Sequence, residues 1–295
     1  MTYDSSPTSL APRRFLSARV GRAIRSGQLA LFCQPKVNCR TAKVEAVEVL
    51  VRWIHPHRGV IAPAEWVPSV ESSPLRNRFN LHVIDLALSH HTCWATAGVH
   101  LPIAINVTPE CLVDEWFLTE LEDLLSARRV ETATVRLELT ERTNDVIGDE
   151  LATTRARLEP FGVELVLDDF GAGYSSLGRL AGLPFSVVKI DGSLVGGMRS
   201  SDRLAAVVRW ASHLGNDLGM EVVAEGVEDD DTWRLLQDIG CQRIQGFRVA
   251  RPFPAGELPE FCASYLPRPP APFVRRTGRD RRAGHERRSS PVAAS

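Results

Sequence analysis

The 295-residue chain contains no apolar run of transmembrane length. Its opening residues, MTYDSSPTSLAPRR, have no apolar stretch of the kind a secretory leader needs. Both absences predict a cytoplasmic protein. Its six cysteines, Cys33, Cys39, Cys93, Cys111, Cys241 and Cys262, form no CxxC pair. That spacing excludes the usual zinc frameworks, and the scattered thiols read as core residues of a reducing compartment. No GxGxxG follows an early apolar run, so a doubly wound dinucleotide-binding sheet lacks its fingerprint. The six tryptophans form no stacking ladder, and packing is their expected role. Trp53, beside Arg52, is the one expected to stand near a functional site.

No sign of charge dominates overall, but the charge is unevenly placed. From Arg268 onward eight arginines face two acids, a surplus of six that leaves the remainder at −7 for a total of −1. That basic tail, residues 267–295, reads as a solvated disordered arm, with contact to nucleic acid or lipid as its weaker alternative. Residues 1–14, rich in Ser, Thr and Pro, read as disordered too. Between them, residues 15–266 form one folding unit with ordinary apolar and charged content.

Within that unit short apolar runs alternate with helical patterns. Leu29–Cys33 stops at Gln34-Pro35, and Val44–Val51 alternates with period two as far as Arg52-Trp53. Ile103–Ile105 then stops at Asn106, Val135–Leu139 at Thr140-Glu141, and Leu165–Leu167 at Asp168. Val187–Ile190, Glu221–Ala224 and Arg243-Ile244 stop at Asp191, Glu225 and Gln245. Helical stretches such as Phe117–Arg128 and Arg203–Leu218 lie between them. Seven or eight such units in ~250 residues predict an α/β fold of the (β/α)8, TIM-like type, with functional groups at the C-terminal ends of its strands.

The polar residues fall at those ends. Asp168 and Asp169 close an apolar run and precede Gly171-Ala172-Gly173. Neighbouring carboxylates repel each other and lose hydration, a penalty that divalent cations offset; a solvated helix-capping turn is the plainer alternative. Glu48, Glu138, Glu225, Asn106, Lys189 and Gln245 converge on the same mouth. An all-oxygen donor set without histidine favours Mg²⁺ or Mn²⁺ over zinc, and two ions about 4 Å apart suit phosphoryl chemistry.

These residues fall within an ordered series of motifs: Gln34-Pro35, Glu48-Val49-Leu50-Val51-Arg52-Trp53, Asn106-Val107, Glu138-Leu139-Thr140-Glu141, Asp168 to Ser176, Lys189-Ile190-Asp191, Ala224 to Glu228 and Gln245-Gly246. In that order they resemble the EAL-domain phosphodiesterases, the family that hydrolyses cyclic di-GMP. The resemblance implies a stand-alone EAL domain, two Mg²⁺ or Mn²⁺ ions per active site, cyclic di-GMP as substrate, 5′-pGpG as product, and a homodimer. It places Glu48, Asn106, Glu138 and Asp168 on the first ion, and Asp168, Asp169 and Glu225 on the second. Lys189 holds the attacking water electrostatically, and Glu225 or the ion pair takes its proton. Gln34, Leu50, Arg52 and Gln245 contact the dinucleotide, and Glu141 and Glu228 support the site and its loop.

Four places depart from the family wording: Val49 for alanine, Ala172 for threonine, Gly192 for arginine, and Arg248-Val249-Ala250-Arg251-Pro252 for a usually apolar stretch. Val49 is expected to face away from Glu48 and pack. Ala172 lacks a hydroxyl that would fix its loop, which predicts a slow enzyme. The competing readings are a weak or silent EAL module that binds cyclic di-GMP or a protein partner, and an unrelated metal-dependent barrel enzyme.

Overall fold

Period-two alternation and short apolar runs become strands of one sheet that closes on itself. A computed structural model describes residues 19–128, 135–140, 148–171 and 184–271. The strands are β1 (Leu29–Asn38), β2 (Val44–His55), β3 (Gly59–Ile61), β4 (Ile103–Asn106), β5 (Val135–Thr140), β6 (Glu164–Phe170), β7 (Val187–Ile190), β8 (Glu221–Ala224), β9 (Arg243–Ile244) and β10 (Phe253–Pro254). The principal helices are α1 (Arg76–Thr96), α2 (Glu115–Arg128), α3 (Gly148–Leu158), α4 (Gly192–Gly197), α5 (Asp202–Asp217), α6 (Asp230–Ile239) and α7 (Leu258–Ser264). Strands β2 and β4 to β9 pair in parallel in the order 2-4-5-6-7-8-9, and β1 closes the barrel by pairing with both β2 and β9.

The expected α/β barrel is therefore present, with one change at its start. β1 runs antiparallel to both neighbours, and β1 and β2 join as a hairpin through the turn at Asn38, whose side chain accepts from the Arg40 and Thr41 amides. The first strand outlasts its apolar run, which stops at Gln34-Pro35, and continues to Asn38. Pro35 is tolerated there because it falls between the pairing with β10, which ends at Cys33, and that with β9, which begins at Val37. The helices start slightly earlier than their apolar patterns, α2 at Glu115 ahead of Phe117 and α5 at Asp202 ahead of Arg203. Capping explains two of the starts: Ser201 accepts from the Leu204 amide ahead of α5, and Asp229 from the Thr232 amide ahead of α6. Gly240, in the left-handed region, ends α6.

Alternation divides the strands between two cores. Val135, Leu137 and Leu139 of β5, with Leu165 and Leu167 of β6, join the large core between the barrel and its helices. Val49 packs in that core, as its alternation with Glu48 predicts. Val166, Val187 and Val223 form a small separate cluster, and the same alternate set carries Glu138, Asp168 and Lys189. The barrel interior thus passes from a short apolar layer to buried charge within one strand step.

The chain keeps contact with the barrel beyond Leu266, the expected boundary. Pro270 is buried, and Arg234 Nε donates to the Ala271 carbonyl at 2.9 Å. The rest of the basic tail and residues 1–14 lie outside the described residues. Among the described residues, no helix is long and apolar enough to cross a membrane.

Candidate active site

Strand parity sets the first half of the site. Gln34 pairs with Glu48 across the β1–β2 hairpin, Glu48 stands beside Ala104, and Asn106 beside Glu138. Residues two apart share a face, so Gln34 and Lys36 sit together, as do Glu48 and Leu50. Asn106 Nδ2 donates to Glu48 Oε1 at 2.9 Å, and Gln245 Nε2 donates to Glu48 Oε2 at 2.7 Å and Gln34 Oε1 at 2.9 Å. Gln34 in turn donates to the Ala250 carbonyl.

A bulge sets the second half. On a regular strand Asp168 and Asp169 would face opposite sides. The β6–β7 register shifts between Leu167 and Phe170, so the two aspartates oppose Lys189 alone. Asp169 accommodates this with φ +56, a left-handed conformation that Asp tolerates better than most residues, and its amide donates to Asp168 Oδ1. Asp168, Asp169 and Glu225 consequently present oxygens that all lie within 4.8 Å of one another.

Lys189 occupies the centre. Its Nζ lies 2.7 Å from Glu225, 2.9 Å from Glu138, 2.9 Å from Asp168 and 3.4 Å from Glu48, and the side chain is 1 % exposed. Burial pulls its pKa down, but the four carboxylates overcome this and hold it well above the ordinary lysine value. Burial also pushes Glu138 and Asp169 up. It pushes Glu225 up to about 8, reinforced by Asp168 and Glu48 and opposed by Lys189. Glu48 goes the other way, to about 2, because Lys189, Lys36 and two amide donors outweigh its burial.

A cavity of about 260 Å³ opens over this cluster, lined by Gln34, Glu48, Leu50, Glu225, Glu228, Gln245 and Phe247 among others. Its floor needs Gly246: a β-carbon there would stand 2.2 Å from the Val227 carbonyl oxygen. The donor set fits hard divalent cations, being made of carboxylate and amide oxygens. Gln245 Oε1 fits as well, since it is buried without a hydrogen-bond partner, an arrangement that a cation or its water would relieve.

Nine of the expected residues thus converge: Gln34, Glu48, Asn106, Glu138, Asp168, Asp169, Lys189, Glu225 and Gln245. Leu50 and Glu228 line the cavity. Arg52 stands aside, donating to the Val51 carbonyl with its guanidinium 5.6 Å from the Phe32 ring. Glu141 and Ala172 lie outside the described residues. Trp53 is corrected: it belongs to the opposite strand face, is 3 % exposed, donates to Gln28 and packs edge-on against Trp66. The sequence reading missed Lys36, a second buried lysine whose Nζ lies 2.5 Å from Glu138 Oε1. Its spacing of two from Gln34 was the available signal.

Fold and site together define a class: a (β/α)8 barrel whose strand ends gather an all-oxygen cluster around a buried lysine. The chain belongs to the EAL domain family, whose model matches residues 17–252. Among its relatives, the cyclic di-GMP phosphodiesterase RocR of Pseudomonas aeruginosa is 32 % identical over 246 residues, covering 83 % of this chain and 63 % of RocR. A solved structure described as the PaMucR phosphodiesterase, c-di-GMP complex, matches with a TM-score of 0.77 and 33 % identity, over 83 % of this chain and 99 % of that one. The Klebsiella pneumoniae BlrP1 complex with manganese and cy-diGMP matches with a TM-score of 0.68 and 30 % identity, over 78 % and 57 %. The chain spans about two fifths of the length of the first curated relatives it matches.

Proposed function

We propose that this chain is a divalent-metal-dependent phosphodiesterase that opens cyclic di-GMP to 5′-pGpG, using two Mg²⁺ or Mn²⁺ ions. The observation that carries the reading is Lys189, buried at a barrel mouth among the carboxylates of Glu48, Glu138, Asp168 and Glu225. Five acidic side chains, counting Asp169, face two ammoniums there, an excess of negative charge that calls for cations. Glu48, Asn106, Glu138 and Asp168 would hold one ion, and Asp168, Asp169 and Glu225 the other. When bound, such a pair activates a water and clamps phosphoryl oxygens.

The chain's own groups supply the rest. Lys189 keeps its proton among its anionic partners, so its role is electrostatic: it orients the water and offsets charge on the phosphate. Glu225, ionised once cations are bound, would accept the water's proton, as would the ion pair itself. Gln34 and Leu50 at the cavity wall would contact the dinucleotide, and Gln245 would reach it from the cavity floor. Arg52 would reach it by leaving the Phe32 ring. Glu141 and Glu228 would support the loop above, and pairing as a homodimer is part of the same reading.

Incubation of purified protein with cyclic di-GMP and Mg²⁺ or Mn²⁺ should yield 5′-pGpG, and excess EDTA should abolish the product. Full turnover in EDTA with no metal content would refute the two-ion reading. Tight cyclic di-GMP binding without product, with both ions present, would instead identify a silent binding module.

A further inference from the structure

The two lysines inside the barrel are not equivalent. Lys189 is shared among four carboxylates, whereas Lys36 is aimed at one oxygen of one of them. Lys36 comes from β1, the antiparallel strand, two residues beyond Gln34. It is 2 % exposed, and its side chain is 3 % exposed against 0 % for Glu138. Glu138 is therefore bracketed, with Oε1 on Lys36 at 2.5 Å and Oε2 on Lys189 at 2.9 Å. Oε2 would be the oxygen free to serve a cation in exchange for Lys189, with Oε1 held by Lys36.

We infer that Lys36 is a positioning residue that pins Glu138 through one oxygen, presents the other to the first cation, and sets how tightly that cation is held. The inference rests on the two-ion reading above for the identity of the site. Two consequences follow from electrostatics. With Oε1 pinned, Glu138 would offer a cation its other oxygen only. A fixed positive charge beside a ligand opposes cation binding, and in a poorly solvated interior that opposition is large compared with thermal energy. Lys36 thus holds the acidic cluster together before cations arrive, at the expense of their affinity.

The test is Mn²⁺ binding by titration calorimetry at pH 8, with melting curves in EDTA and in saturating Mn²⁺. Lys36→Met keeps the length of the side chain and removes its charge. It should bind Mn²⁺ ~10-fold or more tightly than the parent, melt lower in EDTA, and recover most of that loss in Mn²⁺. Lys36→Arg keeps the charge and should bind Mn²⁺ within ~3-fold of the parent. A residue that merely packs would lower both melting temperatures equally and leave affinity unchanged or weaker; that result overturns the inference. If Lys36→Met does not fold in EDTA, Lys36→Gln is measured in its place with the same expected direction. Failure of both to fold even in saturating Mn²⁺ also overturns it. A parent that binds Mn²⁺ with this Lys36 dependence but never yields 5′-pGpG removes the phosphodiesterase reading alone. A parent that hydrolyses cyclic di-GMP while Lys36→Met binds Mn²⁺ no more tightly removes the Lys36 reading alone. A parent with no Mn²⁺ affinity removes both.

Discussion

Burial pushes the Glu225 carboxyl up to about 8, and Asp168 and Glu48 reinforce the rise against the pull of Lys189. An unfolded chain would titrate this group near 4.5, so between pH 4.5 and 8 the folded, metal-free protein binds the extra proton. Its contribution therefore weakens metal-free stability as pH rises through that window. Glu138 and Asp169, also raised, act with the same sign. Cations favour the ionised form, which reverses the preference. Mn²⁺ uptake at pH 7 should release about one proton or more, and fewer at pH 9, where Glu225 is already ionised. Calorimetry in buffers of different ionisation enthalpy reads this directly, and equal release at both pH values would count against it. Glu48 is the complementary case, held ionised at about 2 by Lys189 and Lys36. Glu48→Ala should retain the fold and reduce turnover at least ~10³-fold, because it removes a proposed ligand and unpairs Asn106 and Gln245 together. Retained activity would mean that the acidic cluster is not the reacting centre.

At the scale of elements, the two ends of the strands do different work. At the N-terminal ends Arg136 of β5 bonds Glu164 of β6 at 2.7 Å and Glu221 of β8 at 3.2 Å. Arg243 of β9 bonds Glu221 as well, and reaches Glu45 of β2 at 2.9 Å. This network ties five strands at the closed end, opposite the carboxylate cluster. Arg136 is buried but its partners Glu164 and Glu221 are only partly so, and water can resolvate the carboxylates it leaves; Arg136→Met should cost roughly 1–3 kcal/mol by urea unfolding, while turnover changes less than ~2-fold. A large loss of turnover with little loss of stability would mean that the base communicates with the mouth. At the opposite ends, the β6 bulge brings Asp169 to the same side as Asp168, which regular pairing would forbid.

For the whole molecule, the informative boundary is the C-terminal one. Pro270 is buried and Ala271 accepts a hydrogen bond from Arg234 of α6. Ending the chain after Ala271 should keep the melting temperature within about 2 °C, whereas ending it after Leu266 should lower it by more, through the loss of those contacts. Identical melting of the two truncations would show that the 267–271 segment contributes nothing to stability.

Strand and helix order, the barrel and most of the site were legible in the chain because each rests on local pattern. An apolar run ending in a carboxylate is visible at Leu165–Asp168, and period two separates Glu48 from Val49 without coordinates. What the chain could not show is where pattern gives way to pairing. The direction of β1 depends on a hairpin that closes the barrel, and the apolar run at Leu29 reads the same whichever way the strand runs. The left-handed Asp169 depends on a register slip against β7. Trp53 beside Arg52 is the exception that pattern alone resolves: the parity that separates Glu48 from Val49 also sends these two to opposite faces. Lys36 and Glu138 lie 102 residues apart, and nothing local to either predicts the other. Sequence determines which groups a strand can present; only closure of the barrel decides which of them meet, because Coulomb attraction and desolvation act across space and not along the chain.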